Sequence, residues 1–189
     1  MELKVIVNPV DGPGPGKRLL SNLFYGCGYN FYRCERQLPA DDELIRGKLR
    51  QLLEDCRSHL RALEAEFRRE HRVLPDRDYA FLSPAAVVTA QALLRAQRDL
   101  EAMETAVRTA EVPETSRIHR RQREERGALA SLVAVDGEVL LALVTLRDAI
   151  ARLEDGPAAA AVMPDLLRAS DFSALWSRRE ALLWGESGN

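Results

Sequence analysis

The sequence predicts a mainly α-helical protein: an elongated bundle or long hairpin of three to four helices, preceded by a short N-terminal strand and an aromatic-glycine loop. Two observations predict this fold. After residue 41, apolar residues recur at steps of three and four, which is the spacing of a helix face. Five of the eleven glycines instead lie close together within residues 12–28. We therefore divide the chain into an N-terminal segment, 1–38, and a helical domain, 39–189.

The composition is that of a globular protein, with 46% hydrophobic and 30% charged residues among 189. A net charge of −2 argues against a general binder of nucleic acid or of anionic membranes. Three cysteines provide no disulfide framework, and no apolar run is long and uncharged enough to span a bilayer. The start of the sequence lacks the pattern of a signal peptide. We expect a soluble, cytoplasmic protein.

The N-terminal segment combines a predicted strand, Leu3–Val7, with a glycine-proline loop over residues 11–16. A strand followed by such a loop can bind phosphate through backbone N–H groups, and the candidate ligands are Gly14, Gly16 and Lys17. Asp11 and Arg18, however, replace the first glycine and the hydroxyl residue of the phosphate-loop motif. The alternative is a flexible turn that follows the strand.

The stretch Val5–Val10, VIVNPV followed by glycines, resembles the opening of diacylglycerol-kinase-type lipid kinases. The resemblance covers the first 16 residues, and the later glycine-aspartate motif of those enzymes does not follow. It implies a phosphate- or nucleotide-binding enzyme, which we keep as an alternative function.

Five aromatic residues and two glycines lie within Phe24–Arg33. Aromatic side chains dominate the binding energy of many interfaces, so this segment is a candidate partner-binding surface. Its candidate residues are Phe24, Tyr25, Tyr29, Phe31, Tyr32 and Arg33. The alternative is a flap that folds back over one end of the bundle.

Four helices are predicted, over residues 41–72, 84–111, 115–154 and 164–184. The first has a heptad seam of Ile45, Leu49, Leu53, Cys56, Leu60, Leu63 and Phe67. Ser83-Pro84 predicts an N-cap and first residue for the second helix, whose packed side should include Val87. Within the third, 132–141 contains Asp136-Gly137, a hairpin signal, but the helical period continues through Leu153 and favours a helix.

An arginine-rich run precedes the third apolar seam and is the second candidate partner-binding surface. Its residues are Arg117, Arg120, Arg121 and Arg123. Glu124 and Glu125 follow at helical spacing and can neutralise part of the charge within a solvated helix face. The alternative is that the acidic surface of a partner neutralises it.

Four residues have side chains that bind zinc: Cys27, Cys34, Cys56 and His59. Cys56 and His59 would share one face of the first helix. The spacing between the first two cysteines is unusual for zinc, and Cys56 is also a member of the heptad seam. Core packing is therefore the competing interpretation, because free cysteine is among the most buried residue types.

The motifs of hydrolases, zinc proteases and di-iron bundles are absent from the sequence. We therefore expect a non-catalytic helical interaction protein without a cofactor, a complex subunit, adaptor or assembly factor that binds another protein or itself. The alternatives are the phosphate- or nucleotide-binding enzyme and a zinc-stabilised regulatory domain.

Overall fold

The computed structural model describes residues 38–71, 83–112 and 125–184, and these residues are mainly helical, as predicted. They form five helices: α1 (Leu38–Glu70), α2 (Pro84–Thr109), α3 (Glu125–Ile150), α4 (Gly156–Ala169) and α5 (Phe172–Trp184). None of these helices combines the length and the apolar character needed to cross a bilayer. The predicted strand and the glycine loop lie outside the described residues.

The heptad seam predicted for α1 is confirmed. All seven of its residues, from Ile45 to Phe67, are buried. Steps of three and four keep these side chains on one side of a helix of 3.6 residues per turn. The helix begins at Leu38, three residues before the predicted start, and Asp41 lies in its first turn, where the helix dipole favours negative charge.

The predicted start of α2 is also confirmed, because the Ala86 N–H donates to the Ser83 hydroxyl oxygen (3.2 Å) and Pro84 is the first helical residue. At the start of α2, the residue predicted to face the core is wrong by one position. Val87 is exposed, and Ala86 is buried in its place. The buried side of α2 consists of Ala86, Ala90, Leu93, Ala96, Leu100 and Val107.

Residues 132–141 are helical and belong to α3, as the helical period favoured. The hairpin signal at Asp136-Gly137 is overridden because Val135, Val139 and Leu143 continue one buried helix face past it. Asp136 is therefore in the interior of a helix, and it is buried.

The prediction of one helix over 164–184 is wrong, because two helices occupy residues 156–184. Asp155 is the N-cap of α4 and its Oδ1 accepts a hydrogen bond from the Ala158 N–H (2.7 Å). A proline in the first turn follows, so Gly156 and Pro157 begin a helix rather than end one. Pro164 lies inside α4, and Asp171, with φ 47°, separates α4 from α5.

The described residues belong to two compact units. Unit 1 contains residues 38–48, 110–112, 125–142 and 173–184, and unit 2 contains residues 49–71, 83–109 and 143–172. Helices α1 and α3 contribute residues to both. In unit 2, α2 and α4 pack against each other, and both begin beside Phe67: Ala86 shares a buried cluster with Phe67, and Gly156 lies against its ring.

Candidate functional site

Unit 1 contains a group of buried charged side chains from three helices, which we call the buried ion network: Asp42 and Arg46 of α1, Asp136 of α3 and Arg179 of α5. Arg179 Nε donates to Asp136 Oδ1 (2.6 Å), and its Nη2 donates to Asp42 Oδ1 (2.7 Å). Arg46 Nε lies 2.9 Å from the second oxygen of Asp42 as an ion pair. The side chains of Arg179, Asp42 and Asp136 are each at most 1% exposed.

Helical spacing and the neighbouring residues position these groups. Asp42 and Arg46 are four residues apart, so they lie on one face of α1. On α5, Trp176 precedes Arg179 by three residues, and the Arg179 guanidinium carbon lies 5.0 Å from the Trp176 ring centroid. This distance is within the range of a cation–π interaction, so the indole also fixes the guanidinium.

Within unit 1, the network also includes a backbone carbonyl. Arg46 Nη1 donates to the carbonyl oxygen of Ala110 (2.8 Å), the residue after Thr109. Its Nη2 donates to Glu43, whose side chain is exposed. One guanidinium thus joins a buried carboxylate, an exposed carboxylate and a chain carbonyl.

Burying charges carries a large desolvation cost, which is offset only when they are paired with good geometry. Here each guanidinium bonds two or more groups. The arrangement selects one specific placement of α5, because Arg179 can satisfy both carboxylates only where α1 and α3 present them together. In the structure the network attaches α5, through Arg179, to α1 and α3.

In unit 2 the first residues of α2 and α4 carry no charged side chains of their own. Residues 83–94 and residues 156–164 contain no charged side chain, although 30% of the whole chain is charged. Val87, Val88 and Val162 are exposed on these two stretches, and Val88 is 61% exposed. We call these three residues the valine surface.

A half-open cavity of about 300 Å³ lies between the end of α1 and the start of α4 in unit 2. It is lined by Phe67 and His71, whose rings stack at 4.1 Å, and by four carboxylates. One of these, Asp155, accepts a hydrogen bond as the N-cap of α4. Within the described ranges, no three His, Cys, Asp or Glu side chains are placed to hold a metal ion.

Only two of the sequence-predicted site residues lie among those the structure describes, Cys56 and His59. Cys56 is buried in the α1 seam, and burial, with a smaller effect of Asp55, raises the pKa of its thiol to about 12. His59 Nε2 donates to the Leu153 carbonyl oxygen (2.9 Å). A cysteine binds zinc as the thiolate, so the raised pKa of Cys56 favours packing for this residue, whereas the hydrogen bond of His59 leaves its Nδ1 available and does not decide between the two interpretations.

The other predicted site residues lie outside the described residues, and their roles stay predictions. They are the zinc candidates Cys27 and Cys34, the phosphate-loop residues Gly14, Gly16 and Lys17, the aromatic segment Phe24–Arg33, and the arginines from Arg117 to Arg123.

The buried ion network was not predicted from the sequence, although two signals for it were present. Asp136 interrupts an apolar seam in α3, and Arg179 lies between Trp176 and Leu183. A charged residue on a buried helix face requires a partner of opposite sign. An ion pair between Asp136 and Arg179 could therefore have been inferred from the sequence alone.

The sequence matches no model of a known protein family, and no curated protein or solved structure is significantly similar to it.

Proposed function

We propose that the protein is a non-catalytic helical interaction protein, a complex subunit, adaptor or assembly factor that binds another protein or itself. The observation that carries the proposal is the valine surface, three exposed valines on two packed helix stretches that carry no charged side chains of their own.

Valine is an unfavourable choice at an exposed helix position. Its β-branched side chain loses rotamer freedom in a helix, and its apolar surface remains in water. Val87 and Val88 are adjacent on α2, and Val162 lies on the helix that packs against α2. A partner that covers these side chains would bury their apolar area, which is the main favourable contribution to most protein–protein association.

The neighbouring residues fit the same role. Both helices begin beside the buried Phe67, so their uncharged stretches lie at the same end of unit 2. The core of an interface is depleted in charged residues, whereas its rim is polar. On α2 the first charged residue is Arg95, and on α4 it is Asp165, which forms an ion pair with Arg168.

The test is substitution of the valine surface by glutamate. Val88→Glu should abolish retention of a partner in affinity capture, because it places a charge at the interface. The variant should remain folded, since glutamate is favourable in the first turns of a helix. Val162→Glu should have the same effect from the neighbouring helix.

The matched control is Ala102→Glu, which adds the same charge at an exposed position further along α2. It should leave association unchanged. If the wild-type protein binds neither itself nor a partner, or if Ala102→Glu weakens binding as much as Val88→Glu, the proposal is wrong.

A further inference from the structure

The joint between α4 and α5 departs from helical geometry at a single residue. Ser170 has helical dihedral angles (φ −65°, ψ −23°), and its N–H donates to the Leu166 carbonyl (3.0 Å) as in a continuous helix. Asp171 has φ 47°, in the left-handed region, and is the one non-glycine residue with positive φ in the described part of the chain. Phe172 then begins α5.

The conformation of this joint is strained but held in place. A left-handed conformation is unfavourable for any residue with a Cβ, although aspartate tolerates it better than most. The Ser170 hydroxyl donates to the Leu167 carbonyl (2.7 Å), the group that the Asp171 N–H would bond in a continuous helix. The Asp171 N–H instead donates to the Arg168 carbonyl (3.2 Å).

Helix α5 carries the group that the buried ion network requires. Within residues 173–184, the buried side chains are Trp176 and Arg179. Arg179 is held by Asp42 of α1 and Asp136 of α3, so the carboxylates form a receptor for a helix with arginine three residues after tryptophan. Trp176 and Arg179 are the one such pair in the sequence, so a second copy of the chain supplies a matching helix.

We propose that two copies of the chain exchange α5. When Asp171 turns from the left-handed to the helical region, α4 and α5 join into one helix from Gly156 to Trp184 and α5 leaves its own chain. Asp42 and Asp136 of each chain then bind Arg179 of the other. Each ion pair is remade between chains and two strained joints are relaxed, which is how a short strained hinge favours exchange.

This inference rests on the proposed function only in that it specifies how the protein binds itself. It uses the buried ion network rather than the valine surface, so the two can fail separately. Val88→Glu should leave an exchanged dimer intact, whereas it should abolish association through the valine surface.

The first test changes the joint at Asp171, which is exposed. Asp171→Gly removes the strain and should favour the monomer, whereas Asp171→Ala disfavours the left-handed conformation and should favour exchange. An alanine in the left-handed conformation disfavours each unexchanged joint about tenfold relative to glycine, and a dimer contains two joints. The dimerisation constants of the two variants should therefore differ about a hundredfold, as measured by size-exclusion chromatography with light scattering. Ser170→Ala, which removes the hydroxyl that holds the bend, should also increase the dimer fraction.

The second test asks whether the site forms between chains. Arg179→Met supplies an intact pair of carboxylates but no arginine, and Asp136→Leu supplies the arginine but only one of its two carboxylates. After equal amounts of the two variants are unfolded together and refolded, one complete site can form between unlike chains, and mixed dimers should exceed the half of all dimers that random pairing gives. Each variant carries a different affinity tag, so that mixed dimers are counted directly.

The proposal is overturned if Asp171→Gly and Asp171→Ala have the same dimer fraction at every concentration at which they remain soluble. It is also overturned if mixed dimers of the Arg179→Met and Asp136→Leu chains form no more often than chance pairing. A wild-type dimer that Val88→Glu dissociates would contradict the exchange and support association through the valine surface.

Discussion

Replacing Arg179 by methionine removes the centre of the buried ion network while keeping a long side chain against Trp176. Arg179 donates to carboxylates on two other helices, at 2.6 and 2.7 Å, and all three side chains are at most 1% exposed. After the substitution, Asp42 still faces Arg46, but Asp136 loses the guanidinium that lies 2.6 Å from its Oδ1. Removing one partner of a buried ion pair typically costs about 3–5 kcal/mol, so the free energy of unfolding should fall by that amount.

The measurement is urea unfolding followed by far-UV circular dichroism, with tryptophan fluorescence as a second probe because Trp176 contacts Arg179. The matched control is Arg178→Met, which removes a pair with Glu138 whose two side chains are about half exposed. A surface pair of this kind contributes about 1 kcal/mol or less. If Arg179→Met lowers the free energy of unfolding no more than Arg178→Met does, the buried ion network does not hold α5 in place.

Three further outcomes follow from single positions. Gly47→Ala should raise the free energy of unfolding by about 0.5–1 kcal/mol, since the added Cβ meets open space at an exposed helix position. Gly156→Ala should lower it by about 1–3 kcal/mol, because its Cβ would lie 2.9 Å from the Phe67 ring. A urea midpoint equal to that of the wild type would contradict either prediction. The Cys56 thiol, with a pKa of about 12, should resist alkylation at pH 8 until the chain unfolds, as read by mass spectrometry of its peptide. Because the pKa of this thiol is 9.0 without the fold, the unfolded chain loses the proton first, so stability should fall between pH 9.0 and about 12, and Cys56→Ala should show a smaller fall.

The sequence predicted the parts of the fold that depend on local periodicity. The α1 seam from Ile45 to Phe67 is an uninterrupted series of steps of three and four, and a helix is the structure that places those residues on one side. The same period correctly favoured a helix over residues 132–141 against the turn signal at Asp136-Gly137.

The errors concern features that depend on other parts of the chain or on the conformation of one residue. Gly156-Pro157 ends a helix in many sequences, but Asp155 supplies an N-cap, so the same dipeptide begins α4. The break at Asp171 has no glycine to mark it. The buried ion network joins residues as far as 137 positions apart, a separation at which periodicity carries no information.

The separation between Asp42 and Arg179 also sets an order for the completion of the two units during synthesis. All residues of unit 2 precede Ser173, whereas unit 1 is incomplete until α5 has been made. Unit 1 contains the start of α1, which is made early, but Asp42 of α1 and Asp136 of α3 gain their shared arginine only when α5 has been made. Domains generally fold as units while the chain is made from its N-terminus. A chain that ends before residue 179 therefore has Asp42 and Asp136 without the guanidinium that they share, and the burial of these carboxylates is then less favourable.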